Sequence, residues 1–153
     1  MTARFDRTPR DVLALYHRAM VDMSADDLAD LYAVDGVHEF PFRAPGFPAR
    51  FHGREEVRAG YHKAWDASPV RLAEIRDVAV HEAADPEVIV GEWRGTGTAG
   101  PDGRPCELSG LLMFRVREGE IVETRDYMDV FGTYHAIGRL KDVVAALDAP
   151  APS

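Results

Sequence analysis

The chain reads as an α+β domain: a cone-like, curved antiparallel sheet with helices packed on its concave face. Three observations predict this. Up to about residue 66, apolar positions recur at helical spacing around one short strand pattern. From residue 70 the pattern changes to long alternating stretches separated by turn-forming pairs. Helices first and strands afterwards give segregated layers, not alternating βαβ units. The 153 residues, without repeat or linker, suit one domain over 1–153, its core at about 10–138 and a short helix and tail over 139–153.

Taken in order, Thr8 caps a helix over 8–22, Pro9 suits its first turn, and Val12, Leu15, Tyr16, Ala19 and Met23 form its apolar stripe. Ser24 opens a second helix, with Asp26 and Asp27 in the first turn and Leu28, Leu31 and Tyr32 on the inner face. A strand over 37–42 follows. Pro41 and Pro45 cannot donate to a sheet ladder, which makes it an edge strand or a strand end. Phe42, Phe47 and Phe51 then make the turn too apolar for open solvent, and the segment is expected to wall a small-molecule cavity. The helix over 54–66 carries Val57, Tyr61 and Trp65 on one face. Strands follow over 70–82, 87–98 and 105–117, and the last, IVETRDYMDVF, runs to Phe131. Asp102-Gly103 and Glu118-Gly119 mark the hairpins, and a short helix spans 139–147.

Composition excludes several functions. A net charge of -8 leaves no basic stripe for nucleic acid. No apolar run approaches the roughly 20 residues that span a bilayer. The stretch MTARFDRTPRDV has no apolar signal core, so the expected location is cytoplasmic. The single cysteine, Cys106, lies in a strand pattern and makes a weak nucleophile. The six histidines show no HxxxH or HxH spacing, so no metal site is expected. The run Gly95–Gly100 sits in a hairpin and not before a helix, so it is no phosphate loop, and no cofactor is expected.

The segments LYAVDGVHEFP, HGREEVRAGY and MFRVREGEIVETRDYMDV, in that order, resemble the nuclear transport factor two-like superfamily. Within it the chain is similar to the SnoaL-like, ketosteroid-isomerase-like group, and EFPFRAPGFP…GREEV also resembles phenazine biosynthesis A/B type proteins. The resemblance implies the cone-shaped fold over about 10–138 and, since this fold hosts both enzymes and binders, no single activity. In the steroid isomerases a Tyr and a protonated Asp hold an oxyanion while a second Asp is the base. The resemblance places Tyr16 at the Tyr, but Phe40 at the base and Leu112 at the protonated Asp. The steroid isomerase mechanism is therefore not expected.

Strand alternation sorts what remains. With Phe40 inward, His38 and Phe42 follow; with Leu112 inward, so does Phe114; and Met128 inward brings Asp126 and Thr124 to the same side. The resemblance also implies that Asp126, in TRDYMD, matches an acidic residue of the phenazine A/B type pattern. Asp126, Tyr16 and His38 are the candidate catalytic groups, and Phe40, Phe42, Tyr61, Trp65, Leu112, Phe114 and Met128 the candidate substrate-binding residues. A carboxyl group in an apolar pocket is pushed toward the range where it gives and takes protons near pH 7. Each polar candidate has a plainer reading: Tyr16 as core, His38 as a satisfied imidazole, Asp126 as a surface partner of Arg125 or Arg115. Two functions stay open. One is a cofactor-independent isomerase, cyclase or dehydratase acting on a small apolar carbonyl compound; the other is a non-catalytic ligand-binding or scaffold protein. Finally, LSGLLMF is apolar on both faces, so Leu111 and Met113 on the outer face predict a homodimer through the convex side.

Overall fold

The computed structural model describes residues 4–150, so the end of the Pro-rich tail lies outside the described residues. Thr8 opens α1 (Pro9–Asp22) with a reciprocal cap: its hydroxyl accepts from the Asp11 amide, and the Asp11 carboxylate accepts from the Thr8 amide. Ser24 caps α2 (Ala25–Ala29) with one bond, its hydroxyl accepting from the Asp27 amide. This second helix is shorter than its apolar spacing suggests. The Leu31 carbonyl accepts from the Ile121 amide at 2.8 Å, and that long-range bond draws the chain into β1 (Tyr32–Glu39). Tyr32 is thus a fully buried strand residue, not a helix residue.

β1 ends ahead of Pro41, so the prolines stand beyond a strand end. The strand is not an edge. A short strand, β2 (Arg50–His52), pairs with it antiparallel on one side and takes the edge position. After α3 (Arg54–Asp66) come β3 (Val70–Glu82), β4 (Val88–Ala99), β5 (Arg104–Arg117) and β6 (Glu120–Met128). The order across the open sheet is β2-β1-β6-β5-β4-β3. Neighbours are antiparallel except β1 and β6, which run parallel. Register shifts in the β1–β6, β3–β4 and β5–β6 pairs supply bends. Gly36 sits in the first of these: a Cβ there would stand 2.5 Å from the Ile121 carbonyl oxygen.

Glu118 and Gly119 turn the β5–β6 hairpin with φ of 50° and 73°, the left-handed pair that a two-residue turn requires. The last strand stops at Met128, short of Phe131, because the Asp129 carboxylate accepts from the Gly132 amide and caps α4 (Val130–Ala136). That helix was not expected. α5 (Leu140–Asp148) follows.

The core lies between the helices and the concave face. Val12, Leu13 and Tyr16 of α1 and Val57 of α3 pack on Ile89, Trp93, Leu112, Phe114 and Ile121. At Gly91 an added Cβ would stand 2.8 Å from a Leu13 methyl group, so the missing side chain is what lets α1 settle on β4. Among the described residues no helix is long and apolar enough to cross a membrane. On the convex face, half-buried Leu111 lies between Glu92 and Tyr127, and Met113 between Val90 and Arg125.

Candidate active site

Register fixes which side chains meet on the concave face. One row is His38, Thr124, Phe114 and Ile89; the next holds Asp126, Leu112 and Gly91; the third holds Met128, Gly110 and Trp93. α1 lays Tyr16 over the first row, its ring 4.9 Å from Phe114. α3 adds Tyr61 from the other side, set edge-on to Trp65 with ring centres 4.9 Å apart.

The polar groups in this apolar setting form one connected cluster. The Tyr16 and Tyr61 hydroxyls are 2.8 Å apart. The Tyr32 hydroxyl lies 2.7 Å from His38 Nδ1 and 2.8 Å from Thr124 Oγ1. His38 Nε2 stands 3.5 Å from Asp126 Oδ2 and 3.5 Å from the Tyr61 hydroxyl. His38, Tyr32 and Thr124 are wholly buried, whereas the Asp126 side chain keeps 12% of its surface. The carboxyl group therefore keeps contact with solvent.

Proton placement follows from these partners. With Thr124 donating to Tyr32, the Tyr32 O–H donates to Nδ1, so a neutral His38 carries its proton on Nε2, facing Asp126. The Tyr16 and Tyr61 hydroxyls share one hydrogen bond, and the Tyr61 hydroxyl also faces His38 and Asp126. Burial, with the electrostatic influence of neighbouring phenols and Asp126, holds the Tyr16 and Tyr61 hydroxyls protonated well above the ordinary phenol range. Burial also raises Tyr32. These three are proton donors at neutral pH and do not titrate there.

The structure therefore brings Tyr16, His38, Asp126 and Tyr61 together. Phe40 lies against His38 with ring centres 4.4 Å apart, Leu112 is directly opposite Asp126, and Phe114 and Met128 occupy the flanking rows. Trp65 reaches the cluster through Tyr61. Phe42 does not belong. It follows the end of β1, where alternation no longer applies; it is 70% exposed and packs edge-on against outward Tyr127 at 5.2 Å. Phe47 lies near Tyr134 instead, and of that apolar turn only Phe51 meets the site, against Phe40 and His38.

Among the described residues Asp126 has no arginine partner of the kind its plainer reading requires. Arg125 pairs with Glu39 at 2.9 Å and Arg115 with Asp85 at 2.6 Å, both outward. Sequence reasoning missed Tyr32, which fixes His38 from behind. The signal lay in the spacing of Tyr32, His38 and Thr124, but only the β1–β6 pairing joins them. Cys106 is half-buried, and burial pushes its thiol up, away from a reactive thiolate.

Comparison with known proteins agrees with this architecture. Residues 12–124 match the model of the SnoaL-like domain. An uncharacterised PhzA/B-like protein of Pseudomonas aeruginosa is 31% identical over 129 residues, covering 84% of this chain and 89% of that one. The solved structure of a candidate isomerase from Bacillus subtilis superposes with a TM-score of 0.77 at 23% identity, over 90% of this chain and 97% of the other. IdmH, a candidate polyketide cyclase from Streptomyces antibioticus, gives 0.66 at 23% identity, over 86% and 99%. With most of its length matched by the domain model and a relative above 30% identity, the chain belongs to the SnoaL-like family.

Proposed function

We propose that the protein is a cofactor-independent acid/base enzyme of isomerase, cyclase or dehydratase type, acting on a small, mostly apolar carbonyl compound held on the concave face. The observation that carries this is the buried His38 facing Asp126 at 3.5 Å, with its far nitrogen held by Tyr32 at 2.7 Å. As a carboxylate, Asp126 takes a proton from the carbon beside the carbonyl. The C–H pair becomes a new C=C bond, and the carbonyl π pair moves onto oxygen. Returning the proton to another carbon completes an isomerisation; attack of the deprotonated carbon on a second carbonyl, whose oxygen takes the proton from Asp126, closes a ring. His38 supports the carboxyl through Nε2. The isomerase and cyclase names among the fold neighbours are in keeping with this chemistry.

The test needs no natural substrate. Small ketones such as 1-indanone are incubated with the protein in D2O, and exchange of the α-hydrogens is followed by NMR. Exchange faster than in buffer, lost in Asp126→Asn, is the expected result; a rate equal to buffer, or equal in the variant, overturns the reading.

A second reading, a ligand-binding protein without turnover, is favoured by Phe40 and Leu112, apolar where the steroid isomerases carry carboxylates. Ketone binding without exchange would establish it. Under either reading we propose a homodimer through Leu111 and Met113 of the convex face.

A further inference from the structure

Inside the concave face Trp93 Nε1 has no hydrogen-bond partner among the described residues, although Trp93 is only 4% exposed. Indole nitrogen can only donate, so the missing partner is an acceptor. The position of the ring has a specific cause. Its pyrrole edge lies over Gly110, where an added Cβ would stand 3.0 Å from Nε1 and Cζ2 and 3.1 Å from Cε2. Any larger residue at 110 would displace the indole, so Gly110 lets the N–H edge extend across β5. On the far side of Gly110 is Met128, one pleat from Asp126. Two strand spacings and one pleat repeat put the Trp93 and Asp126 Cα atoms roughly 12 Å apart. Both side chains project from the concave face.

The other partnerless nitrogen nearby, His17 Nε2, does not compete for the same ligand atom. Its Nδ1 lies 3.3 Å from Asp77, which keeps the proton on that side and leaves Nε2 an acceptor.

We propose that Trp93 is the substrate-positioning donor of the site: its indole N–H holds the carbonyl oxygen of the compound whose proton Asp126 moves. This rests on the acid/base reading of Asp126 and adds where the oxygen lies. As the C–H proton passes to Asp126, charge builds on that oxygen, and a fixed N–H in a dry setting stabilises it.

The experiment compares 1-indanone with indane, the same skeleton without the oxygen. In 15N-labelled wild type, the Trp93 indole proton, assigned by its persistence in Trp65→Phe, is expected to move downfield with the ketone and not with indane. Trp93→Phe is expected to bind the ketone about tenfold more weakly, with indane binding unchanged. An unmoved Trp93 signal on ketone binding overturns the proposal, whether or not the variant folds. So does equal weakening for both compounds, the result expected if a buried water shared with His17 were the partner. In either case the α-hydrogen exchange of wild type against Asp126→Asn still stands as the separate test of the acid/base reading. Failure of both compounds to bind overturns the two together.

Discussion

Replacing Tyr32 by Phe removes one oxygen and tests whether the buried cluster is built as described. The ring stays, so packing against the core is kept and no cavity opens. What is lost is the partner of His38 Nδ1 at 2.7 Å and of Thr124 Oγ1 at 2.8 Å, both on residues with no solvent exposure. An unsatisfied buried polar group costs about 1–3 kcal/mol, so two of them should destabilise the fold by about 2–6 kcal/mol. Urea unfolding followed by circular dichroism would read this as a lower midpoint at unchanged slope. Adding Thr124→Val removes one of the two stranded groups, so the double variant should recover about 1 kcal/mol or more of the loss. Nitrogen NMR of the imidazole gives a readout independent of stability: wild-type His38 should carry its proton on Nε2, and Tyr32→Phe should lose that fixed preference. A loss below about 1 kcal/mol, or a wild-type proton on Nδ1, would refute the cluster.

Other expectations follow from the same geometry. Asp126→Asn should leave the fold intact and lower α-hydrogen exchange by about 100-fold or more, the usual contribution of a general acid–base group. His17 is buried, and burial lowers its pKa below the unfolded value in spite of nearby Asp77. The neutral form is therefore favoured by folding; its stabilisation is complete above about pH 6.5 and is lost as pH falls through the lowered folded value. His17→Gln should flatten the stability profile between pH 7 and 5, and an unchanged slope would contradict this. Light scattering of the wild type should give a mass near twice 17.0 kDa, and Leu111→Glu with Met113→Lys should return it to the single-chain value.

How far the fold was legible in the sequence depends on the range of the interaction that fixes each element. α1, α3 and the β3–β6 meander rest on local signals: the Thr8 box, the Val57–Tyr61–Trp65 stripe, and turns at Asp102-Gly103 and Glu118-Gly119. The misplaced elements depend on distant partners. Tyr32 continues a helical stripe until the Leu31 carbonyl is claimed by Ile121, ninety positions later; β2 exists only because β1 is beside it; and α4 begins where one carboxylate, Asp129, accepts from the Gly132 amide. The site shows the same division. Alternation from Phe40 and Met128 placed His38, Thr124 and Asp126 on one face because β1 and β6 are regular there, and it failed at Phe42, past the strand end. Trp93 gave no sign of its own, since its distinguishing feature is the space left by Gly110 on a neighbouring strand.

A count of protons narrows what each group can do. Tyr16 stands where the resemblance to steroid isomerases places an oxyanion donor, yet its hydroxyl is 2.8 Å from that of Tyr61 and is engaged there. Tyr61 also faces His38 and Asp126, the Tyr32 hydroxyl joins Thr124 to His38, and His38 Nε2 faces the same carboxyl. Both chains of contacts lead to Asp126, and every hydroxyl in them already has a partner within the cluster. A substrate carbonyl meeting this cluster would find a well-supported acceptor and no donor, an arrangement suited to taking a proton but not to holding the charge that results. Charge stabilisation must then come from outside the cluster. Within the concave core the described side-chain donor left without a partner is the indole N–H of Trp93. Base and donor thus sit on separate rows of the sheet, where a steroid isomerase would hold its oxyanion with Tyr16 and an acid at Leu112.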